Sequence, residues 1–316
     1  MDKGFEFSEL EARLQMTLDA LSNGEGVRVK DEWIVEAGKH FEDALRRHLN
    51  EGKREWKGLR MSNVGKPTCQ LQHEQMGTEG SRVPYNHIVR MSIGDAVEAV
   101  IALAVKASGV NITGGKTKVK LDVNETNIPG EDDIHIDDEV WDIKSSSPYL
   151  FQHKWNDGWE GVYHTDTFGY IEQLFGYAKA QNKKMGGWLV VDKSSGEIKV
   201  VKARPTPEQL KHIEEKISET ERTIREKRPF VKCFSEEPEY FRKKPTGNML
   251  VPKVCTFCPF LHSCWPNAQL KPKGMSEATV PTPTWYNFYL EKTNLKPTHR
   301  TGRNVNPVLD DADFKG

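Results

Sequence analysis

From Arg90 to Lys202 the apolar residues pass from helical to alternating spacing and back, and that succession confines the chain to helices layered on a sheet. Arg90 to Ala107 reads as a helix, with Ile93, Val97, Ile101, Ala104 and Val105 on one face and Gly109 as its stop. Thr117 to Val123 alternates, setting Thr117, Val119, Leu121 and Val123 against Lys118, Lys120 and Asp122, as a half-buried strand does. A Pro129-Gly130 turn leads to two short strands, Ile134 to Ile136 and Glu139 to Ser145, separated by Asp137-Asp138. Asp166 to Gln181 is expected to be helical. Gly187 to Asp192 is an apolar strand, and Ser194-Ser195-Gly196 turns it into Glu197 to Lys202. Thr206 to Lys227 reads as a long polar helix opened by Thr206-Pro207-Glu208. The expected order is helix, three strands, helix, strand, with additions at both ends and no internal repeat.

The additions differ in character. Phe7, Leu10, Leu14, Met16, Leu18 and Leu21 keep roughly helical spacing up to Asn23-Gly24, and Trp33 to Leu49 continues helically to Gly52. Residues 62–80 read as a polar loop containing Cys69. From Lys271 onward the chain is rich in Pro, Lys, Thr and Asn, which suits an extended or partly disordered arm. Three regions follow: a helical segment over 1–60, a core over 61–270 and a tail over 271–316. A content of 36% hydrophobic and 29% charged residues allows a buried core under a well-solvated surface. The net charge of -1 excludes a uniformly basic coat for nucleic acid but permits a local basic groove. The chain shows no bilayer-length apolar run and no signal-peptide pattern, so a soluble cytoplasmic protein is expected.

The chemistry concentrates between Gly130 and Lys144. In a strand, residues two apart share a face, so Asp142 and Lys144 project together while Trp141 and Ile143 face the other way. Asp133 stands just before the neighbouring short strand. Two carboxylates so placed can bind a hard cation such as Mg²⁺ or Mn²⁺ through oxygen, and such an ion acidifies water and polarises a phosphoryl oxygen. A lysine beside them offsets charge in a transition state. An acidic run like residues 131–139 can also be a solvated loop. Glu98 borders the apolar stripe of its helix, where a carboxylate must be paired or metal-bound, and a salt bridge explains it as well as a metal does. Gln173 and Tyr177 are neighbours at i, i+4 on the helix after the lysine strand, with Tyr170 one turn earlier. Core packing explains the tyrosines, while Gln173 on that face is less expected.

The order Gly94…Glu98, Gly130-x-x-Asp133, Asp142-x-Lys144, Gln173-x-x-x-Tyr177 resembles the RecB-like branch of the PD-(D/E)XK nucleases, over roughly Ser62 to Cys264. The resemblance implies a restriction-endonuclease-like α/β core, a mixed central sheet flanked by helices. By it Asp133 and Asp142 bind metal and Lys144 activates or positions water, while Gln173 and Tyr177 help hold the active site and the DNA end. Many members carry histidine where this chain has Glu98. Glutamate can serve there as an oxygen ligand, and His87 is an alternative upstream.

Of the five cysteines, Cys255-x-x-Cys258 followed by five residues and Cys264 forms a compact three-ligand set. A fourth ligand must come from elsewhere. Cys69 is the better candidate, because Cys233 lies beside a long helix with no partner spacing and reads as a small buried residue. Four thiolates suit tetrahedral zinc or an iron–sulfur cluster. The one-plus-three pattern resembles cluster-bearing RecB-like nucleases, the AddB-type domain and the CRISPR-associated RecB-like nucleases. It implies a structural [4Fe–4S] cluster on Cys69, Cys255, Cys258 and Cys264 in a C-terminal binding segment.

Other signals are weaker. Residues 109–117 look like a phosphate-binding loop, but Gly115 occupies the lysine position and the helix precedes where a strand should, so an ATPase is rejected. Lys183-Lys184, Arg242-Lys243-Lys244 and Lys271-x-Lys273 could contact phosphates or be ordinary surface. Trp155, Trp159, Tyr163 and His164 could stack on bases of single-stranded DNA or pack in the core. The acidic tail Leu309 to Phe314 could bind a partner or be disordered. The resemblance implies an exonuclease on single-stranded DNA ends, in recombination, replication or DNA processing in a bacterium or phage-infected cell. A single-strand-binding, helicase or recombination partner would accompany it. The rival from another class is a non-catalytic, zinc- or iron–sulfur-stabilised DNA-binding module whose carboxylates are merely surface.

Overall fold

The computed structural model describes residues 9–50, 55–273, 276 and 280–290. The chain divides into two compact units, Met1–Cys233 with Cys258–Phe260, and Phe234–Phe257 with Leu261–Gly316.

In the larger unit, helices α1 (Glu9–Asn23), α2 (Asp31–Asn50), α3 (Thr68–Gln75) and α4 (Asn86–Ala107) precede the strands. These are β1 (Ile112–Gly114), β2 (Lys118–Val123), β3 (Thr126–Glu131), β4 (Ile134–Ile136) and β5 (Glu139–Ser146). A helical turn α5 (Pro148–Leu150) and helices α6 (Gly158–Thr165) and α7 (Tyr170–Ala180) lead to β6 (Lys184–Asp192), β7 (Ile198–Lys202) and α8 (Pro207–Arg225). The central sheet runs β1-β4-β5-β6-β7, with β5 and β6 parallel and the other pairs antiparallel, while β2 and β3 form a separate hairpin. It is a mixed sheet flanked by helices.

Alternation along β5, β6 and β7 builds a core on each face. Val140, Trp188, Val190 and Val201 pack with Ile171, Leu174 and Tyr177 of α7 and with Val119 and Leu121 of the hairpin. Trp141, Ile143, Leu189, Val191 and Val200 pack with Ile101, Ala104 and Val105 of α4 and Leu14 of α1. Each such large apolar side chain contributes about 1.5–3 kcal/mol by leaving water. Glu11 of α1 reaches this sheet through a hydrogen bond accepted from the Val200 backbone N–H at 2.7 Å. The N-terminal helices therefore belong to the same unit as the sheet. At α8, Thr206 and Gln209 form a reciprocal capping box behind Pro207, worth about 1 kcal/mol.

Several expectations are corrected. Pro129-Gly130 is not a turn but part of β3, where Gly130 pairs with Val119. A side chain there would meet Met61 and Tyr177 at 2.4 and 2.7 Å, so glycine serves close packing and not chain reversal. The supposed loop over 62–80 contains α3, whose Cys69, Leu71, Gln72 and His73 are buried. Its polar composition hid it, because Gln72 is buried through hydrogen bonds to the Arg228 and Pro229 carbonyls. Ile93, expected on the core face of α4, is exposed, and burial on that helix begins further along, at Ile101.

The smaller unit holds β8 (Glu237–Phe241), β9 (Lys244–Leu250), α9 (Leu261–Cys264), β10 (Gln269–Pro272) and β11 (Pro283–Phe288), its sheet running β10-β11-β9-β8. Strand β11 pairs with β9 and β10, so part of the region read as an arm is sheet. Phe7, Gly52 and the acidic tail at 309–314 lie outside the described residues. Among the described residues no helix is long and apolar enough to cross a membrane.

Candidate active site

Strand β5 carries two kinds of residue because its faces differ. Asp142 and Lys144 share a face with Val140, and the Lys144 Nζ lies 2.7 Å from the Asp142 carboxylate and 5.3 Å from the centre of the Tyr170 ring. Trp141 and Ile143 enter the opposite core, as expected. Asp133, in the link before β4, accepts a hydrogen bond on Oδ2 from the Ile143 backbone N–H at 2.9 Å, which fixes it against β5. Its neighbour Asp132 turns elsewhere. Asp132 is fully buried, accepts from the Thr117 N–H at 2.9 Å and from Gln181 Nε2 at 2.6 Å, and lies 2.7 Å from His135 Nε2. Asp132 is thereby satisfied as a structural group, and Asp133 is left to the site.

Glu98 arrives from α4, and a lysine that the sequence did not single out for this site joins it. Gly115, at φ 146°, lets the chain press on the Asp133 backbone, where any side chain would come within 2.7 Å of the Asp133 carbonyl. Lys116 follows, pairs with Glu98 and lies 3.5 Å from Asp133 Oδ1. Three carboxylates thus meet two ammonium groups.

The electrostatics are uneven. Burial, with the charges of Glu98 and Asp142, pushes Asp133 up to about 8, against the pull of Lys116 and Lys144. Asp142 is likewise raised, by burial first, with Lys144 opposing. For Glu98, burial is outweighed by His40 and Lys116, which hold it at about 2. Burial alone would lower Lys144, but Asp142 and Asp133 raise it, so it stays charged. The group fits a divalent cation. Buried Asp142 Oδ2 lies 2.7 Å from the Lys144 ammonium without an aligned hydrogen-bond partner among the described residues, and the Lys116 ammonium bridges Glu98 and Asp133. Carboxylates crowded in this way relieve their repulsion by holding a proton, as the raised pKa of Asp133 implies, or by binding a cation that displaces it.

Gln173 donates from Nε2 to the Tyr177 hydroxyl at 3.2 Å, and burial raises the pKa of Tyr177, with Asp142 and Asp133 adding to the rise. His87 is exposed at the start of α4. Two further residues by Glu98 were missed. His40 of α2 and Asp95 of α4 join it in a group whose possible ligand atoms lie within 4.8 Å of one another. No spacing rule connects residue 40 to residue 95.

The aromatics read as possible base-stacking residues divide. Trp155 and Trp159 are buried, packing at 5.7 and 6.1 Å from Trp188, so they are core. Tyr163 is half-buried against that core, and His164 is exposed. Lys183 pairs with Asp138, and Arg242 and Lys243 form the turn between β8 and β9 with positive φ.

Of the expected cluster ligands, Cys69 and Cys258 belong to the larger unit, and Cys255 and Cys264 pack by Val251, Leu261 and Trp265 in the smaller. Cys233 is exposed, not the buried residue expected. Its sulfur accepts from the Cys69 backbone N–H at 3.1 Å. Helix α3 lacks a side-chain cap at Pro67, so its first-turn N–H groups recruit that thiol, and hydrogen bonds from Cys69 lower Cys233 to about 6.

No protein-family profile and no curated protein matches this chain. A solved structure described as "Crystal structure of SSO0001" aligns over 71% of this chain and 93% of its own at 14% identity, with a TM-score of 0.40. A likeness at that level carries no argument about fold or function.

Proposed function

We propose that this chain is a metal-dependent DNA nuclease of the RecB-like PD-(D/E)XK kind, and that it acts as an exonuclease on single-stranded ends. The observation that carries the reading is the meeting of Asp133, Asp142 and Lys144, with Glu98 close by, where β4 pairs with β5 in a mixed sheet. A divalent ion such as Mg²⁺ or Mn²⁺ on those carboxylates would supply the Lewis acidity that activates water and polarises a phosphodiester. Lys144, kept protonated by its two acidic neighbours, offsets the negative charge that builds on the phosphoryl group. Asp133 and Asp142 orient their oxygens through the Ile143 N–H and the Lys144 ammonium. Gln173 steadies the Tyr177 hydroxyl beside them, where a phosphate or sugar oxygen can be bound.

The test is cleavage of end-labelled single- and double-stranded DNA with Mn²⁺. Asp142→Ala and Lys144→Ala are each expected to lower the rate by about 10³-fold or more. Cleavage that survives both substitutions sinks the assignment. For the cysteines, the donor chemistry supports a [4Fe–4S] cluster on Cys69, Cys255, Cys258 and Cys264. A brown, iron-containing purified protein is expected, and a colourless zinc protein overturns that part alone.

A further inference from the structure

Helix α2 lies outside the motifs that suggest the nuclease, yet it delivers an imidazole to the edge of the site. His40 Nε2 lies 3.2 Å from Glu98 Oε1. That nitrogen is buried, is not aligned with the carboxylate as a hydrogen bond requires, and has no other hydrogen-bond partner among the described residues. Asp95, one turn before Glu98 on α4, presents its carboxylate to the same point. Asp95 is itself held from behind, by His48 Nε2 at 2.8 Å and by Arg47 at 3.8 Å, both from α2.

We infer that His40, Asp95 and Glu98 form a second cation site, for a divalent transition metal such as Mn²⁺, beside the Asp133–Asp142 carboxylates. The proposal rests on the nuclease reading only for its account of the neighbouring site. Two atoms that approach without aligning on each other are placed as two ligands of one ion are, both aimed at a third point. The donor set is one nitrogen and two carboxylates; the carboxylates suit manganese, and the imidazole suits iron, nickel, copper or zinc. The oxygen-only pair Asp133 and Asp142 suits a hard ion equally well. The His48–Asp95 contact gives Asp95 the hydrogen-bonded support that metal-binding carboxylates have in their outer shell. Glu98 is common to the two sites, its Oε1 contacted by both His40 Nε2 and the Lys116 ammonium. By this arrangement the N-terminal helices complete a metal centre as well as covering the sheet.

Manganese is the probe, since thiolates compete poorly for it and the cysteines would take zinc or cobalt. The wild-type protein with Mn²⁺ alone is examined by pulsed EPR for nitrogen modulation on the manganese signal, and Mn²⁺ affinity is measured by titration. We expect nitrogen coupling in the wild type, its loss in His40→Gln, and its retention in Asp142→Asn. His40→Gln and Asp95→Asn should each weaken Mn²⁺ binding at this site by about tenfold or more. Thermal unfolding in EDTA checks the folding of His40→Gln, and Asp95→Asn is the second variant if it unfolds early. A manganese signal with no nitrogen coupling, or coupling that persists in His40→Gln, overturns the inference. In either case, Mn²⁺-dependent cleavage lost in Asp142→Ala would leave the nuclease reading standing. Nitrogen coupling lost in His40→Gln, in a protein that cleaves no DNA, would uphold this site and sink the nuclease.

Discussion

Buried carboxylates in the two units meet opposite treatment. In the smaller unit Glu239 is almost wholly buried, and its oxygens accept from Asn248 Nδ2 at 2.7 Å, Thr246 Oγ1 at 2.8 Å and the Tyr286 hydroxyl at 2.8 Å. Burial alone would raise its pKa, but the hydrogen bonds prevail and lower it. In the larger unit Asp133 has one backbone donor, faces Glu98 and Asp142, and is pushed up to about 8. A carboxylate that the fold itself satisfies is a structural element. A carboxylate set against others of like charge has a perturbed protonation equilibrium, and such groups gather at functional sites.

This contrast predicts substitutions of opposite sign. Glu239→Gln should destabilise the smaller unit by about 2 kcal/mol at neutral pH, because it replaces a charged acceptor of three donors with an amide. Hydrogen exchange of the 237–250 segment measures it. Asp133→Asn should do the reverse in metal-free solution, stabilising the larger unit by about 1 kcal/mol in denaturant unfolding with EDTA, while cleavage is lost. A destabilised Asp133→Asn would mean that Asp133 is structural like Glu239, and the comparison would collapse.

Acid should sharpen the same contrast. The folded pKa of Glu239 lies below its ordinary value, so its contribution is present above the unfolded pKa and is lost as pH falls through the folded one. The difference between wild type and Glu239→Gln should therefore shrink on acidification below about pH 4.5, the region of the unfolded glutamate. A difference constant from neutral pH down to acid would show that the Glu239 charge contributes nothing. The smallest effect is expected at Tyr177→Phe, which removes one hydroxyl from the Gln173 contact. It should cost about 0.5–1 kcal/mol of stability, and a larger loss in DNA affinity than in stability would place that hydroxyl on substrate.

Much of this arrangement was legible in the sequence. Strand alternation placed Asp142 with Lys144 and put Trp141 and Ile143 on the opposite face, and helical spacing set Gln173 above Tyr177. What was hidden depended on contacts distant in sequence. Helix α3 looked like a loop because its buried face is partly polar, and Cys233 looked inert because the helix end it caps lies far from it in the chain. Trp155 and Trp159 could have faced a ligand or the core, and only the position of Trp188 on the same face of the sheet decided for the core.

The sequence by itself determined which local elements form and which side chains within each share a face, since both follow from the fixed geometry of helix and strand. Tertiary structure decided which faces meet. It separated Asp132 from Asp133 by giving one a full set of donors and the other like charges, and it brought Lys116 and His40 to Glu98. No periodicity encodes such meetings, because they arise from the packing of α2 on α4 and of the Gly115 turn on Asp133.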